Sequence, residues 1–570
     1  MKINRIQINN YRSIKHLDFK PGNITALVGP NNAGKTNILS ALNFLLGERF
    51  PMPQGLDDKD FYGRTRDNDL RIKVWFEKNQ ENIDSAYFEY ITANKEGRAR
   101  YETTKPGSRP QYLSNEVRQN FPLVYLDAAR SFDAQFGSSR WSLFGQIVRQ
   151  LDAHFRDKVG IDIQDQVKNH LEKAQDLLKT PIYRSFEKAV TEAFQDQVRL
   201  TTHAVNFDFR TFDPLNFYRS LYPVLFEDGN PKNPAEAGSG MRNLIVIALF
   251  RAYARTFKAD ALIAIEEPEI YLHPHAQRSL AFLFQELADQ GAQLFYSTHS
   301  ASFLAIEHFD QVTVVERRKD NDGDSCTHIR YLTEDGLLTK RKALHIGIPI
   351  TAISMRERLR NACGVEHAEA FFARAILLVE GPTEQAALPI YAAALNIDFN
   401  ALGVSVVSAD GKAGLDTLHQ LYDGLGFPVF ILFDNDIGGT TKDIPLNKVL
   451  TRLLSLPENE CPSPVVSSRY AILQPDFEGT IKAEVEKIQA GLYDKLRTEA
   501  MAEFGAKAGK PIQARYIARK LVDQKIFPPT IKAVAEAVRD ILTPSNLMSL
   551  ESEDECQNNK NELFDEDVPF

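Results

Sequence analysis

The chain has 570 residues and a mass of 64.3 kDa, enough for about three or four domains. Its 43% hydrophobic and 25% charged residues are typical of globular proteins and argue against a fibrous or disordered chain. The formal net charge of −9 argues against a generally basic nucleic-acid coat protein. However, eight acids and one base place −7 of that charge in residues 551–570, so residues 1–550 carry only −2 and have room for local basic surfaces.

Cysteine spacing and hydropathy indicate in which cellular compartment the protein is expected. The four cysteines (Cys326, Cys363, Cys461 and Cys556) lie far apart and form no CxxC pair, which argues against a zinc site and a disulfide framework. The first residues lack the apolar core of a signal peptide, and the apolar runs are far too short to span a bilayer. We therefore expect a cytoplasmic protein with no membrane partner.

The N-terminal part of the chain begins with strands and then becomes helical. An apolar run at 24–28 predicts a buried strand, and a leucine stripe predicts a helix that begins near Thr36. Short strands and polar turns follow at 51–125. Between 145 and 200 the strand pattern disappears, and apolar residues spaced three or four apart predict helices with one apolar face.

The C-terminal half alternates strands and helices. A glycine cluster at 238–240 precedes a predicted long helix at 241–253, and a buried strand is predicted at 261–265. Apolar runs at 376–379, 404–407 and 429–433 each lead into a Gly or Asp turn and then a helical stretch. This alternation predicts a second, parallel sheet.

The segment Gly29-Pro30-Asn31-Asn32-Ala33-Gly34-Lys35-Thr36 matches the phosphate-binding pattern GxxxxGK[ST] between a predicted strand and a predicted helix. Glycines let backbone N–H groups surround phosphate oxygens, and the helix N-terminus adds a positive dipole. Lys35 is predicted to reach the β- and γ-phosphates, and the Thr36 hydroxyl to meet Mg²⁺. We expect Gly29, Asn31, Asn32, Gly34, Lys35 and Thr36 to bind ATP.

Three further segments complete a nucleotide site. The predicted strand at 261–265 ends in Glu266 and Glu267, of which one can hold Mg²⁺ through water and Glu267 can orient the attacking water. Another predicted strand leads into His299, placed to sense the γ-phosphate. The ensemble resembles the ATP-binding-cassette ATPases of the SMC and RecF type. In that resemblance Ser239 and Gly240 stand at the signature motif, although the spelling departs from LSGGQ.

A second set of acids follows the predicted strands of the C-terminal half. Glu380 ends one strand and Glu384 follows four residues later, while Asp434 and Asp436 end another strand. Because carboxyl ends of neighbouring parallel strands converge, these acids are predicted to share one crevice. Hard oxygen donors suit Mg²⁺ or Mn²⁺, and two such ions can drive phosphodiester cleavage. The arrangement resembles the Toprim domain of topoisomerases, DnaG primases and small nucleases.

A cassette ATPase followed by a Toprim domain resembles the OLD (overcoming lysogenization defect) family of nucleases, which includes the nuclease subunit of the Gabija system. The resemblance implies metal ligands at Glu380, Glu384, Asp434 and Asp436, a further acidic motif at Asp476 and Glu478, and an active-site lysine at Lys510. It also implies a homodimer or higher homo-oligomer, DNA as substrate and a role in anti-phage defence. A net charge of +4 over residues 493–525 fits a DNA contact, although a solvated helix face explains most of these bases equally well.

The expected fold class is α/β, an SMC/RecF-like ABC ATPase with a helical insertion followed by a Rossmann-like Toprim domain. The expected units are the ATPase at 1–150 and 226–345, a dimerising helical insertion at 151–225, a linker at 346–372, the nuclease domain with C-terminal helices at 373–548, and a disordered acidic tail at 549–570. The expected function is an ATP-regulated, metal-dependent DNA endonuclease. Whether ATP is hydrolysed or only bound stays open.

Alternatives remain at the level of sequence. The chain could be a DNA-repair ATPase of the SMC/RecF type with a regulatory or vestigial Toprim domain, or the Toprim domain could perform primase or topoisomerase chemistry. The tail ends in Asp565-Glu566-Asp567-Val568-Pro569-Phe570, similar to the acidic tip of bacterial single-stranded-DNA-binding protein. It could bind proteins that recognise that tip, occupy the chain's own DNA channel, or only aid solubility. A helicase or another defence protein is a further possible partner.

Overall fold

A computed structural model describes residues 2–47, 56–78, 83–91, 98–105, 109–118, 121, 123–129, 135–137, 142–198, 217–221, 224–227, 229–257, 262–319, 323–345, 348–437, 444–505 and 507–543. The acidic tail predicted at 549–570 and residue 261 of a predicted strand lie outside these residues. No described helix has the length and apolar character that a membrane span requires.

The strands are, in chain order, β1 (Ile3–Tyr11), β2 (Ile14–Phe19), β3 (Ile24–Val28), β4 (Leu70–Phe76), β5 (Ser85–Ile91), β6 (Arg98–Thr104), β7 (Gln111–Tyr112), β8 (Leu123–Leu126), β9 (Leu225–Glu227), β10 (Asn230–Lys232), β11 (Leu262–Glu266), β12 (Gln293–Ser297), β13 (Val312–Lys319), β14 (Ser325–Tyr331), β15 (Ala375–Val379), β16 (Val404–Ser408), β17 (Val429–Asp434), β18 (Val465–Val466) and β19 (Tyr470–Leu473).

The α-helices are α1 (Lys35–Leu46), α2 (Asn115–Arg118), α3 (Leu143–Lys158), α4 (Ile161–Leu178), α5 (Pro181–Val198), α6 (Ser239–Phe257), α7 (Pro274–Asp289), α8 (Glu334–Leu344), α9 (Ala352–Ala362), α10 (Val365–Glu369), α11 (Pro382–Ala394), α12 (Phe399–Leu402), α13 (Lys412–Gly424), α14 (Leu446–Leu453), α15 (Phe477–Ile488), α16 (Leu492–Phe504), α17 (Lys510–Asp523) and α18 (Pro529–Asp540).

Two sheets build the N-terminal unit. One is antiparallel, with strand order β2-β1-β4-β5-β6-β7, and the other has the order β14-β13-β3-β12-β11-β8. In the second sheet β3, β12, β11 and β8 run parallel, so their carboxyl ends lie at one edge. Apolar residues of α1 lie in the same buried core as residues of the first sheet. The parallel edge is therefore where the residues after β3, β11 and β12 meet.

The C-terminal unit is a five-stranded sheet with the order β16-β15-β17-β19-β18. Four of its strands are parallel, and only the short β18 runs antiparallel to its neighbour. Strands β15 and β17 are buried along their whole length, as expected for a parallel sheet covered on both faces. The fold class predicted from the sequence, α/β with a mixed-sheet unit followed by a Rossmann-like parallel-sheet unit, is confirmed.

The helical segment at 143–198 differs from the rest of the described chain in its burial. It forms α3, α4 and α5, as the loss of the strand pattern predicted. However, no residue of α4 is buried within the described part of the chain. The apolar face predicted from the spacing exists on this helix, but the described residues do not cover it.

The two units are joined by a continuous buried core. A single apolar cluster contains Ile263 of β11, Leu332 before α8, and Leu378 and Leu415 of the C-terminal unit. A buried ion pair also crosses the junction, because Arg341 of α8 lies 2.9 Å from Asp416 of α13. The second unit is therefore packed against the first.

Candidate functional site

The phosphate-binding loop is held in shape by glycines at positions where a side chain cannot fit. Gly29 has a φ of 142°, and a Cβ there would lie 2.0 Å from the carbonyl oxygen of Val315. Gly34 has a φ of 114°, and a Cβ there would lie 2.2 Å from Oγ1 of Thr327. Both backbone conformations favour glycine. The loop Gly29–Thr36 is thus fixed by its own sequence and by its contacts with β13 and β14.

Lys35 lies inside this loop. Its Nζ donates to the carbonyl oxygens of Gly29 at 2.8 Å and Pro30 at 2.9 Å. Burial lowers the pKa of Lys35, while the charges of Glu267 and Glu269 oppose that shift. Asn31, Asn32 and Thr36 are exposed on the same loop. The loop therefore presents polar groups to solvent around Lys35, whose ammonium group is bonded to the loop's own carbonyl oxygens. This is the arrangement that a phosphate-binding site requires.

The two acids at the end of β11, Glu266 and Glu267, lie in different environments. Glu266 is buried, accepts a hydrogen bond from the hydroxyl of Tyr125, and accepts another from the Ala128 N–H at 3.4 Å. Burial raises the pKa of Glu266. Glu267 has a φ of 43°, and its N–H donates to the Ser297 carbonyl at 2.9 Å. Sequence reasoning missed Tyr125, because only the pairing of β8 with β11 places it beside Glu266.

His299 follows β12 at the same edge. Its backbone N–H donates to Oε1 of Glu269 at 2.5 Å, and Thr298 Oγ1 donates to Oε2 of that carboxylate at 2.9 Å. Burial lowers the pKa of His299, and the charge of Lys35 lowers it further. The structure thus brings His299, Glu267 and Lys35 within electrostatic reach of one another. Sequence reasoning assigned no role to Glu269, whose carboxylate fixes the His299 turn.

The predicted signature residues lie at the start of α6. The sequence predicted a glycine turn before a helix at 241, but the helix already begins at Ser239. Gly240 is close to the ring of Tyr271, since a Cβ on Gly240 would lie 3.7 Å from it. Ser239 and Gly240 therefore occupy a helix N-terminus, and their role toward ATP stays a prediction.

The second site lies at the carboxyl edge of the C-terminal sheet. Glu380 follows β15, and its Oε2 accepts the Asp434 N–H at 3.4 Å. Glu384 sits in the first turn of α11, and its Oε2 accepts the Gly381 N–H at 3.1 Å, which satisfies a backbone donor at the N-terminus of the helix. Asp436 has a φ of 55° and donates its N–H to the Pro475 carbonyl at 2.9 Å. The strand ends therefore bring Glu380, Glu384, Asp434 and Asp436 to one edge.

Electrostatics shows that these acids act on one another. Burial raises the pKa of Glu384 to about 7, and the charges of Glu380 and Glu478 add to that shift. The pKa of Asp434 is raised well above its usual value by burial, and then by the charges of Glu380, Glu384 and Asp476. Two buried acids that repel their neighbours are the arrangement that a bound cation stabilises.

The later acidic motif and the lysine lie beside this cluster. Asp476 caps α15, where its Oδ1 accepts the Gly479 N–H at 2.6 Å. Lys510 begins α17, and its Nζ lies 3.2 Å from Oε1 of Glu478. Burial alone would lower the pKa of Lys510, but the charge of Glu478 raises it. Residues 476, 478 and 510 are distant in sequence from Glu380, yet the fold places them within electrostatic range of Asp434.

Sequence reasoning missed Lys412, a buried lysine at the start of α13. Its Nζ donates to the Asp434 carbonyl at 2.6 Å and forms an ion pair with Oδ2 of Asp436. As the described side chains stand, no three acidic, histidine or cysteine groups close on a single metal position. A signal was present in the sequence, since Gly411-Lys412 follows a strand between the Glu380 and Asp434 strands.

Comparison with known proteins assigns both units. Residues 24–305 match the family described as "AAA domain, putative AbiEii toxin, Type IV TA system". Residues 371–436 match the family described as "Overcoming lysogenization defect protein-like, TOPRIM domain". The first match covers the phosphate loop, Glu266 and His299, and the second covers Glu380, Glu384, Asp434 and Asp436.

Curated relatives contain both units in one chain. An OLD nuclease of Thermus scotoductus is 28% identical over 76% of this chain and 82% of its own length. The Old nuclease of Escherichia phage P2 is 26% identical over 76% of this chain and 77% of its own. Endonuclease GajA of Bacillus cereus is 21% identical over 68% of this chain and 66% of its own.

Proposed function

We propose that this chain, which is similar to OLD nucleases over about three quarters of its length, is a DNA endonuclease that uses divalent metal ions under the control of ATP. The observation that supports this most strongly is the cluster of acids at the edge of the C-terminal sheet. Its buried members, Glu384 and Asp434, carry raised pKa values that burial and mutual repulsion cause. Such a cluster fits hard divalent cations.

In this proposal Glu380, Glu384, Asp434 and Asp436 hold Mg²⁺ or Mn²⁺, with Asp476 and Glu478 beside them. When bound, one or two such ions activate water and stabilise the leaving oxygen of a phosphodiester. The residues fit the ions in kind, because carboxylate oxygens are the preferred ligands of both metals. The protein's own contribution is to keep these acids at a rigid strand edge, which fixes their backbone positions.

Lys510 is the proposed cation for the phosphate that is cut. Its side chain is 71% exposed, so it can reach the phosphate backbone of bound DNA. Its Nζ lies 3.2 Å from Oε1 of Glu478, which restrains it. A positive group at that place stabilises negative charge that develops on the phosphate. Its position at the N-terminus of α17 also adds the helix dipole to the same region.

The ATPase unit is proposed as the control element. Lys35 and Thr36 bind the phosphates and Mg²⁺ of ATP, Glu266 and Glu267 serve the metal and the attacking water, and His299 senses the γ-phosphate. Ser239 and Gly240 are proposed to close over ATP held by a second copy of the chain, so the active form is a dimer or a larger homo-oligomer. A role in anti-phage defence is proposed from the similarity to GajA.

The first test is plasmid nicking in Mg²⁺ or Mn²⁺. Asp436→Ala removes one proposed ligand and should lower nicking by at least about a hundredfold. The matched control is Asp494→Ala, which removes an exposed acid of the same unit that pairs with Lys482 and should leave nicking unchanged. Nicking by Asp436→Ala at the rate of the unmodified chain contradicts the proposed site.

The ATP arm of the same test uses Lys35→Ala. This change should abolish ATP binding, measured with a fluorescent nucleotide, and should remove the response of nicking to ATP. The metal-dependent chemistry itself should remain. If nicking and its response to ATP are both unchanged, the proposed control by the ATPase unit is wrong.

A further inference from the structure

Lys412 lies among the acids of the proposed nuclease site and is completely enclosed. The side chain has 0% exposure, and it is the first residue of α13. Two features make this position unfavourable for a lysine. Burial of an ammonium group costs several kcal/mol of solvation, on the order of the penalty for any buried ion. The N-terminus of a helix also carries partial positive charge.

Its contacts explain why the lysine is retained there. The ammonium donates to the Asp434 carbonyl at 2.6 Å and pairs with Oδ2 of Asp436. These two acceptors belong to both ends of the Asp434-Asn435-Asp436 segment. A lysine ammonium has three donors and no acceptor, so it can join a carbonyl and a carboxylate at one point.

The segment that Lys412 joins needs such support. Asp436 has a φ of 55°, in the left-handed region that side chains disfavour. Its N–H is tied to Pro475, and Asn435 is fully buried with its N–H tied to Leu473. Backbone hydrogen bonds therefore set the turn, while Lys412 sets the direction of the Asp436 carboxylate.

The helix that carries Lys412 is itself fixed from the other unit. One turn after Lys412, Asp416 pairs with Arg341 at 2.9 Å and with His345 Nε2 at 2.5 Å. One further turn on, the Gln420 side chain donates to the Lys340 carbonyl at 3.1 Å. Since α13 is bonded to α8 over two turns, its first residue is held in a defined place at the site.

We propose that Lys412 is a positioning residue for the nuclease reaction, which holds one oxygen of Asp436 so that the other is presented to the metal. This inference rests on the proposed function. Lys412 touches no substrate in this role and acts through Asp436. It also places a buried positive charge among these acids, beside the largely exposed Lys510.

The test compares Lys412→Met with the unmodified chain. Nicking at saturating Mn²⁺ should fall about ten- to a hundredfold, the usual effect of removing a group that orients a metal ligand. Mn²⁺ binding, followed by electron paramagnetic resonance, should weaken about tenfold for the same reason. Loss of a positive charge alone would instead tighten Mn²⁺ binding, so tighter binding overturns the proposal. ATP binding, measured with a fluorescent nucleotide, should not change.

A double substitution separates positioning from general damage. If Lys412 acts through Asp436, Lys412→Met should cause no further loss of Mn²⁺ binding in an Asp436→Asn background, because the group it orients is gone. A multiplicative further loss overturns the proposal. The control is Lys482→Met, which removes an exposed paired lysine of the same unit. Lys412→Gln keeps a donor and replaces Lys412→Met in every measurement if the latter fails to fold.

The outcome is distinguishable from failure of the proposed function. If Asp436→Asn alone nicks DNA normally, the proposed metal site is wrong, whatever the result for Lys412→Met. If Asp436→Asn is inactive but Lys412→Met nicks and binds Mn²⁺ like the unmodified chain, only the positioning role is wrong.

Discussion

At the scale of single residues, the carboxylates at the carboxyl edge of the C-terminal sheet are hard to ionise, because charge is unfavourable in a buried cluster of acids. Burial raises the pKa of Glu384 to about 7, and burial with repulsion raises the pKa of Asp434. Below pH 7 the metal-free protein therefore keeps a proton on Glu384. In the proposed metal site, metal ions and protons would compete for this residue, since only the ionised carboxylate is a good ligand.

The first residue-scale prediction concerns pH. The folded pKa of Glu384 lies above its unfolded value of about 4.3, so the folded state binds more protons between those two values. The metal-free protein should lose stability as pH rises from about 4 through 7, by roughly 3 kcal/mol from this group. In EDTA, Glu384→Gln should thus raise Tm more at pH 8 than at pH 5.5.

The control for this measurement is Glu503→Gln, which changes an exposed glutamate of the same unit. It should give the same small Tm change at both pH values. If Glu384→Gln also gives a pH-independent change, Glu384 is not a buried acid with a raised pKa in the metal-free protein.

At the scale of elements, α8 and α13 are joined by a buried ion pair and by an exposed one. Arg341 and Asp416 are 2% and 5% exposed and lie 2.9 Å apart. Burial would raise the pKa of Asp416, but the hydrogen bond with His345 and the charge of Arg341 lower it overall. On the same two helices, Lys340 and Asp423 are 40% and 45% exposed at 3.8 Å. The chain thus supplies its own comparison of the two kinds of pair.

We predict that Arg341→Met destabilises the protein by about 3 kcal/mol, because it leaves the buried Asp416 charge without one of its two partners. Lys340→Met should cost less than about 1 kcal/mol. Since the folded pKa of Asp416 is lowered, the stability from this pair is present above about pH 4 and is lost as pH falls through the folded pKa. Calorimetry at pH 7 measures the stability change of each variant. Equal small changes would contradict the assignment of Arg341 and Asp416 as a stabilising buried ion pair.

At the scale of the whole molecule, the helical segment 143–198 carries apolar side chains that the described residues leave exposed. No residue of α4 is buried within the described chain, and Ile161, Leu177 and Ile182 are 74%, 81% and 81% exposed. Exposed apolar side chains in such numbers on neighbouring helices are typical of an interface. Both the dimerising role of the insertion and its limits of 151–225 stay predictions.

We predict that Leu177→Asp combined with Ile182→Asp raises the dissociation constant of the dimer at least tenfold, because each fully buried leucine or isoleucine contributes about 2 kcal/mol. Sedimentation at several concentrations measures it. Ile353→Asp serves as the control, since Ile353 is 77% exposed but lies on α9, outside the insertion. Dimers of equal strength in both variants place the interface elsewhere.

Local sequence was sufficient for the chemistry of both sites. The glycines, the lysine and the hydroxyl of the phosphate loop must be consecutive, so their spacing predicts the site before any fold is known. The strands at 24–28, 375–379 and 429–434 appear as apolar runs, and the acids that end them appear as interruptions. The position of these acids at the ends of parallel strands was therefore predictable from the order of the residues alone, and their role as metal ligands stays a prediction.

The tertiary structure decided what surrounds those residues. Tyr125 meets Glu266 only because β8 pairs with β11, and Lys412 meets Asp436 only because β16, β15 and β17 are neighbours. Neither partner belongs to a sequence motif, since hydrogen bonds and ion pairs across a sheet depend on strand order, which no short segment encodes. The sequence determined which groups can do the chemistry, and the packing of the strands determined how each group is charged and held.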